Sequence, residues 1–300
     1  MIETPNHLQL QRNPTEFIRG RMSVANVVMP MRESVFSGSF YPKQKAELSS
    51  FIKASMDVAQ PSPLKPYSVI VPHAGYIYSG KIAAYAYKCV YDFKKDYDSV
   101  IIIGPNHTGL GARIGVSAEA WKTPLGIMHA DTEFAKEICN TCSLAEIDEE
   151  SHAEEHSVEV QLPFIQYIFG SIPMVAVCMG SQDFEASECM YEAILKASKK
   201  LRRKPLLVAS SDFNHYESEH IAKSKDMPLI GMLEKMDAKG FNKGVTASGD
   251  SACGYGPSTV AALYAKACGA KKGVLLKYSN SGAQTGDLSS VVAYAAIAFF

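Results

Sequence analysis

Residues 98–107, DSVIIIGPNH, decide the fold. The run from Val100 to Ile103 is β-branched and apolar without alternation. A strand with one face in water alternates polar and apolar residues, so unbroken apolarity implies cover on both faces. The run stops at Gly104-Pro105, and the polar loop beyond it carries His107. The same texture returns in YSVIVPH (67–73), IPMVAVCMG (172–180), KPLLVASSDF (204–213), KGVLLKYSNS (272–281) and SSVVAYAAIAFF (289–300). Helical patterns separate these runs at 42–59, 79–93, 132–142, 157–169, 184–201 and 257–268. Residues 112–130 read as a β-hairpin with Thr-Pro-Leu-Gly at its turn. Strand and helix alternating in this way predict one three-layer α/β/α domain over 31–300, with a mostly parallel or mixed central sheet. Residues 1–30, polar and punctuated by proline, form an amino-terminal extension.

Composition narrows the partners. The chain has 300 residues, 47% hydrophobic and 20% charged, with a formal net charge of −1. That balance gives no electrostatic reason to expect nucleic acid or an anionic membrane. No window approaches the roughly 20 apolar residues that cross a bilayer, and the amino terminus lacks a signal peptide's apolar core. Seven cysteines, an odd number without a regular framework, fit a reducing cytoplasm. Cys139 and Cys142 close a helical run and read as structural, while Cys89, Cys178, Cys189 and Cys268 read as small core residues. The basic cluster SKKLRRK (198–204) caps the negative end of its helix.

The chemistry gathers at one edge. His73 follows the strand 67–73, His107 follows 98–107, and Asp212 and His215 follow 204–213. Each therefore stands at the carboxyl end of a strand, where ligands bind in open α/β sheets. One histidine there would suit a hydrogen-bonding role at a strand end; three strands delivering His, His and Asp-x-x-His make a site. Cys253, in SGDSACGYGP (248–257), lies among glycines rather than aliphatics. His73, His107 and Cys253 form a competent set for a transition metal with positions left open for water or substrate. Asp212 and His215 then orient ligands or move protons. Asp250 is a turn or capping carboxylate, with a ligand role as the alternative. Tyr76, Asn106, Asn214 and Tyr255 complete the pocket, joined by His156 and Glu159 at a helix start. GLGARIG (109–115) lacks the third glycine of a dinucleotide loop. His152-x-x-Glu155-His156 formally matches an inverted zinc-protease pattern, which needs both histidines within one sustained helix.

Taken together, GSFYP (38–42), VPHAGYIYSG, IIIGPNHTG, EEHSVEVQLPF, ASSDFNHY and DSACGYGP resemble the Memo family, also called AmmeMemoRadiSam system protein B. The resemblance spans about 31–300. It implies the fold of the class III extradiol dioxygenases, whose non-haem iron is held by two histidines and a carboxylate. It also implies that His73, His107 and Cys253 hold iron or copper, with zinc accepted, and that His215 acts as acid/base beside Asp212. Cys253 in place of the carboxylate departs from the dioxygenase pattern and puts ring cleavage in question. The family's prokaryotic name associates it with a radical-SAM partner. Three functions follow: a redox or oxygenase-type metalloprotein, a non-catalytic module binding a small molecule, peptide or anion in the same crevice, and a zinc hydrolase on His152 and His156.

Overall fold

The computed structural model describes residues 31–300; the extension expected at 1–30 lies outside the described residues. The chain opens with β1 (Met31–Arg32), α1 (Lys45–Val58), β2 (Ser68–Val71), α2 (Tyr76–Tyr91), β3 (Ser99–Pro105), β4 (Ile114–Ser117), β5 (Ala120–Thr123) and β6 (Gly126–Met128). It continues through α3 (Thr132–Thr141), β7 (Ala145–Ile147), α4 (Glu150–Ala153), α5 (Leu162–Phe169), β8 (Met174–Met179), α6 (Phe184–Leu201) and β9 (Pro205–Ser210). β10 (His215–Glu217), α7 (Glu219–Glu234), α8 (Ala238–Ser248), α9 (Tyr255–Cys268), β11 (Gly273–Asn280), α10 (Gly282–Thr285) and β12 (Val291–Phe299) complete it.

Nine strands form a mixed sheet in the order β10-β12-β2-β9-β3-β8-β4-β7, with β11 paired to β12. The central four, β2, β9, β3 and β8, are parallel. β4 and β12 flank them antiparallel. In β3, Val100 and Ile102 enter one core while Ile101 and Ile103 enter the other, and all four are fully buried. The first core is closed by α1, α2 and α5 through Leu48, Ile52, Tyr87 and Phe164. The second is closed by α3, α6, α7, α8 and α9 through Phe134, Met190, Leu229, Phe241 and Val260. Apolarity without alternation thus has its expected cause: helices cover both faces, giving the three-layer α/β/α arrangement. Among the described residues no helix is long and apolar enough to cross a membrane.

Some elements differ from the sequence reading. Only 120–128 forms the hairpin, turning at Thr123–Gly126; β4 instead joins the main sheet against β8. The helix expected over 157–169 starts as a 3-10 turn at Glu159–Gln161 and becomes α-helical at Leu162. Just before it, the Ser157 hydroxyl donates to the Pro105 carbonyl at 2.9 Å. The sequence reading placed no element between 216 and 256, yet α7 and α8 fill most of that span; an internal Pro228 in α7 obscured its period. Cys189, expected as a core thiol, is disulfide-bonded to Cys142 across α3 and α6, with Cα atoms 5.4 Å apart. The pairing joins residues 47 apart, so only the packing of the two helices reveals it.

One buried ion pair fastens the segment after β1 to the body. Glu159 is fully buried, and its carboxylate accepts from Arg32 Nη1 (2.6 Å), Val35 N (3.1 Å), Phe36 N (2.9 Å) and Tyr41 Oη (2.6 Å). Removing one partner of such a pair leaves an uncompensated buried charge. Glu159→Ala is expected to lose about 3–5 kcal/mol in urea unfolding; a loss under about 1 kcal/mol, the range of an exposed pair, would contradict this role.

Candidate metal centre

The parallel register sets the carboxyl ends of β2, β9 and β3 side by side, with Val71 opposite Ser210 and Ile103 opposite Ala209. His73, two residues beyond β2, is buried and places Nδ1 2.9 Å from Ser210 Oγ. Ser210 has one hydroxyl proton, and it goes to the Ser157 carbonyl at 2.7 Å. Its oxygen therefore accepts from His73 Nδ1–H, as it does from Gln161 Nε2 at 2.8 Å. This fixes the tautomer and leaves His73 Nε2 as the ring's unprotonated nitrogen.

His107 is fixed by a carboxylate. The loop before it turns on Asn106, whose Oδ1 accepts from Thr108 N (3.0 Å), Thr108 Oγ1 (2.8 Å) and Gly109 N (2.9 Å). Glu155, wholly buried, accepts from His107 Nδ1 at 2.9 Å and from its backbone N at 2.6 Å. Burial pushes the Glu155 carboxyl up, but these His107 bonds and the Ser157 backbone N–H outweigh it and bring it down to about 2. An ionised carboxylate only accepts, so Nδ1 carries the proton and His107 Nε2 is the free donor. A carboxylate behind a histidine is the usual support of a metal ligand.

The third imidazole is His156. Nitrogens of His73, His107 and His156 lie within 4.8 Å of one another. The His107 and His156 rings stack at 4.7 Å with planes 16° apart, and both stand nearly perpendicular to His73. Phe40 closes the outer side, its centroid 4.7 Å from His156. Burial pushes His73 far below the ordinary imidazole range, with His156, His107 and His215 adding to it. Burial likewise lowers His156 to about 4, against the opposing pull of Glu155. Burial thus keeps His73 and His156 uncharged, the form that binds metal.

Cys253 meets the cluster at one corner. Its thiol donates to His73 Nε2 at 3.1 Å and accepts from Asp212 N at 3.3 Å. Burial raises the thiol well above its ordinary range, and the Asp212 carboxyl adds to this. The loop closes because residue 254 is glycine: a Cβ there would collide with the Ser210 carbonyl and the Ser211 side chain. Gln182 seals the other side, donating to the Cys253 carbonyl and accepting from Gly256 N, both at 2.9 Å.

Asp212 and His215 stand beside the donors. Asp212 Oδ1 accepts from His73 N at 2.8 Å, and burial raises the carboxyl to about 7. His215 Nδ1 donates to the Ser251 carbonyl at 3.1 Å, leaving Nε2 unprotonated, and burial lowers its pKa. Both border a cavity of about 540 Å³, together with His156, Phe40, Tyr78 and Tyr294. Tyr216, 79% exposed with φ 63°, stands at its rim in a left-handed conformation that costs energy for any residue but glycine.

Other expected pocket residues lie behind the site. Tyr76 is buried and donates to the Val160 carbonyl at 2.8 Å. Asn106 shapes its loop, Glu159 holds Arg32, Asn214 is buried beneath His215, and Tyr255 opens α9 half-buried. None of the five lines the 540 Å³ cavity. His152 is also elsewhere: it is fully buried, its Nε2 lies 3.2 Å from the Gly115 carbonyl, and its ring abuts Trp121. The inverted zinc pattern is split between α4 and the following loop, so the two histidines share no helix. Ser210 and Gln161, which fix His73, carry no signal singled out in the sequence, although Ser210 directly follows its strand's apolar run, and Glu155 stands there only within the zinc pattern.

A family model described as Memo-like protein matches residues 32–298. A MEMO1 family protein of Methanopyrus kandleri is 39% identical over 279 residues, covering 89% of this chain and 98% of the relative. One of Methanococcus maripaludis strain C5 is 41% identical over 280 residues, with the same coverage of 89% and 98%. Among solved structures, an uncharacterized protein of Escherichia coli K12 aligns with a TM-score of 0.49 at 14% identity, over 78% of this chain and 100% of that one.

The collision at residue 254 gives a direct check. Gly254→Ala is expected to cost roughly 1–3 kcal/mol, as overpacking does, and to move the thiol off His73. Thermal unfolding and the rate of Cys253 alkylation measure the two effects; unchanged values for both would contradict the tight approach.

Proposed function

The chain belongs to the Memo-like protein family, and we propose that it is a redox metalloprotein binding iron or copper through His73 and His107, with His156 and Cys253 as the further donors. The observation that carries this reading is the convergence of three imidazoles, two with one nitrogen already engaged by Ser210 and Glu155. Such preparation is wasted on a packing role and suits a cation. The donors divide by softness: the imidazoles accept iron, copper or zinc, whereas the thiol favours copper(I) and zinc.

When bound, such an ion supplies one-electron chemistry and open coordination positions. The protein's own groups do the rest. Ser210 and Glu155 hold two imidazoles in the tautomer that binds. His215 offers an unprotonated nitrogen at the cavity, and Asp212, raised to about 7, exchanges a proton near neutrality. Phe40, Tyr78 and Tyr294 give the cavity aromatic walls, and its volume suits a small organic molecule. We therefore infer oxygenase-type or other redox activity on such a molecule. The binding-module reading draws on the same cavity; the hydrolase reading loses its helix when His152 turns into the core.

Metal analysis after anaerobic loading tests the proposal. The native protein is expected to hold near-stoichiometric iron or copper, and His107→Ala to lose both with its fold intact. Cys253→Ser is expected to keep iron and lose most copper(I). Native protein that retains neither ion would overturn the proposal and bring the binding module forward.

A further inference from the structure

The opposite edge of the sheet carries a cavity that the proposed chemistry does not use. It holds about 350 Å³ and lies where β2, β3 and β9 begin, lined by Tyr67, Tyr97 and Pro205. The length of β9 from Pro205 to Ser210, about 17 Å, separates it from the metal centre. Lys65, Lys199, Arg203 and Lys204 line it, and among the described residues no carboxylate does. In a chain whose formal net charge is −1, this is a local excess of cations.

The basic run 198–204, expected to cap its helix, divides in the fold. Lys200 pairs with Glu137 at 2.6 Å, and Arg203 with Asp131 at 3.0 Å. Lys65, Lys199 and Lys204 have no carboxylate partner among the described residues; Lys65 Nζ instead stands 4.7 Å from the centre of the Tyr97 ring. Asp98 Oδ1 accepts from the Lys204 backbone N at 2.7 Å but lies outside the lining. Nor do the helix ends need the lysines as caps. Arg202 N and Arg203 N close α6 on the Lys199 and Ser198 carbonyls, at 3.4 and 2.9 Å. α9 ends beside the same cavity, closed by Gly269 N on Lys266 and Ala270 N on Ala265. Each helix end brings about half a negative charge, so the two together offset about one of three lysines. An excess of about two positive charges is left, which suits a dianion.

The remaining walls are flat and apolar. Tyr97 is buried, its hydroxyl spent on the Pro66 carbonyl at 2.5 Å. Tyr67, Tyr264 and Leu195 add ring and aliphatic surface.

We propose that this cavity binds a small phosphate monoester bearing a flat ring, of mononucleotide size, its phosphate held by Lys65, Lys199 and Lys204 and its ring by the tyrosines. An ammonium is a compact point charge and a common phosphate partner, and bases stack on aromatic side chains. The volume falls within the range of small-molecule sites. Cys268, a free thiol, lines the same cavity and reports on its occupation.

Calorimetry on metal-free full-length protein tests this, with adenosine 5′-monophosphate, adenosine and inorganic phosphate as the probes. The monophosphate is expected to bind with Kd of about 1 mM or below, and the other two at least about tenfold more weakly. Lys199 and Lys204 are exposed, so Lys199→Gln with Lys204→Gln is expected to fold as the native protein does. That variant is expected to lose about tenfold or more in affinity for the monophosphate, with Lys199→Gln alone losing less. Added salt is expected to weaken native binding. The monophosphate is expected to slow alkylation of Cys268, followed by peptide mass, in the native protein and not in the double variant. No binding of the monophosphate, binding unchanged in the double variant, or Cys268 alkylated at the same rate with and without it would overturn the site. Inorganic phosphate bound as tightly as the monophosphate would overturn the role of the ring.

Discussion

One hydroxyl holds the site together. Ser210 Oγ, at the end of β9, accepts from His73 beyond β2 and from Gln161 before α5, and donates to the backbone of Ser157. Gln161 extends the junction, donating to the Pro72 carbonyl at 3.0 Å and accepting from Tyr87 at 2.9 Å. These groups are buried, where an unmet bond is costly. The hydroxyl can serve both sides only because parallel pairing sets Val71 and Ser210 level. From this joint the positions of His73, of the His156 loop and of Cys253 follow.

The electrostatics set one buried anion and one buried acid behind the imidazoles. Glu155 stays ionised down to about pH 2, and Asp212 holds its proton to about 7. In front of them His73 and His156 resist protonation, since burial penalises the charged ring. The arrangement is poorly suited to bare protons and well suited to a single multivalent cation, which one anionic carboxylate and several lone pairs could stabilise together.

Much of this was legible in the sequence because it depends on strand ends. Continuous apolar runs marked the buried strands, and His73, His107, Asp212 and His215 followed them at short offsets, so their shared edge required only a parallel sheet. Cys253 was legible by contrast, a thiol among glycines, and Gly254 explains why. His156 was legible as a pocket residue but not as a donor, and Glu155 only as part of a false zinc pattern, because their roles depend on a loop between α4 and α5 that has no periodicity. α7 and α8 were missed where proline and glycine broke the helical period, and the Cys142–Cys189 pairing depends on which helices pack together. Glu159 shows the limit from the other side: an acid placed at the crevice from sequence turns away to meet Arg32, a contact across more than a hundred residues.

The claim that strand ends converge to build a metal centre is tested most directly by anomalous diffraction from crystals grown anaerobically with iron or copper. The account predicts one dominant peak at about 2.0–2.1 Å from a nitrogen of both His73 and His107. A clear map with no peak among these histidines, or with the metal only elsewhere on the protein, would contradict it.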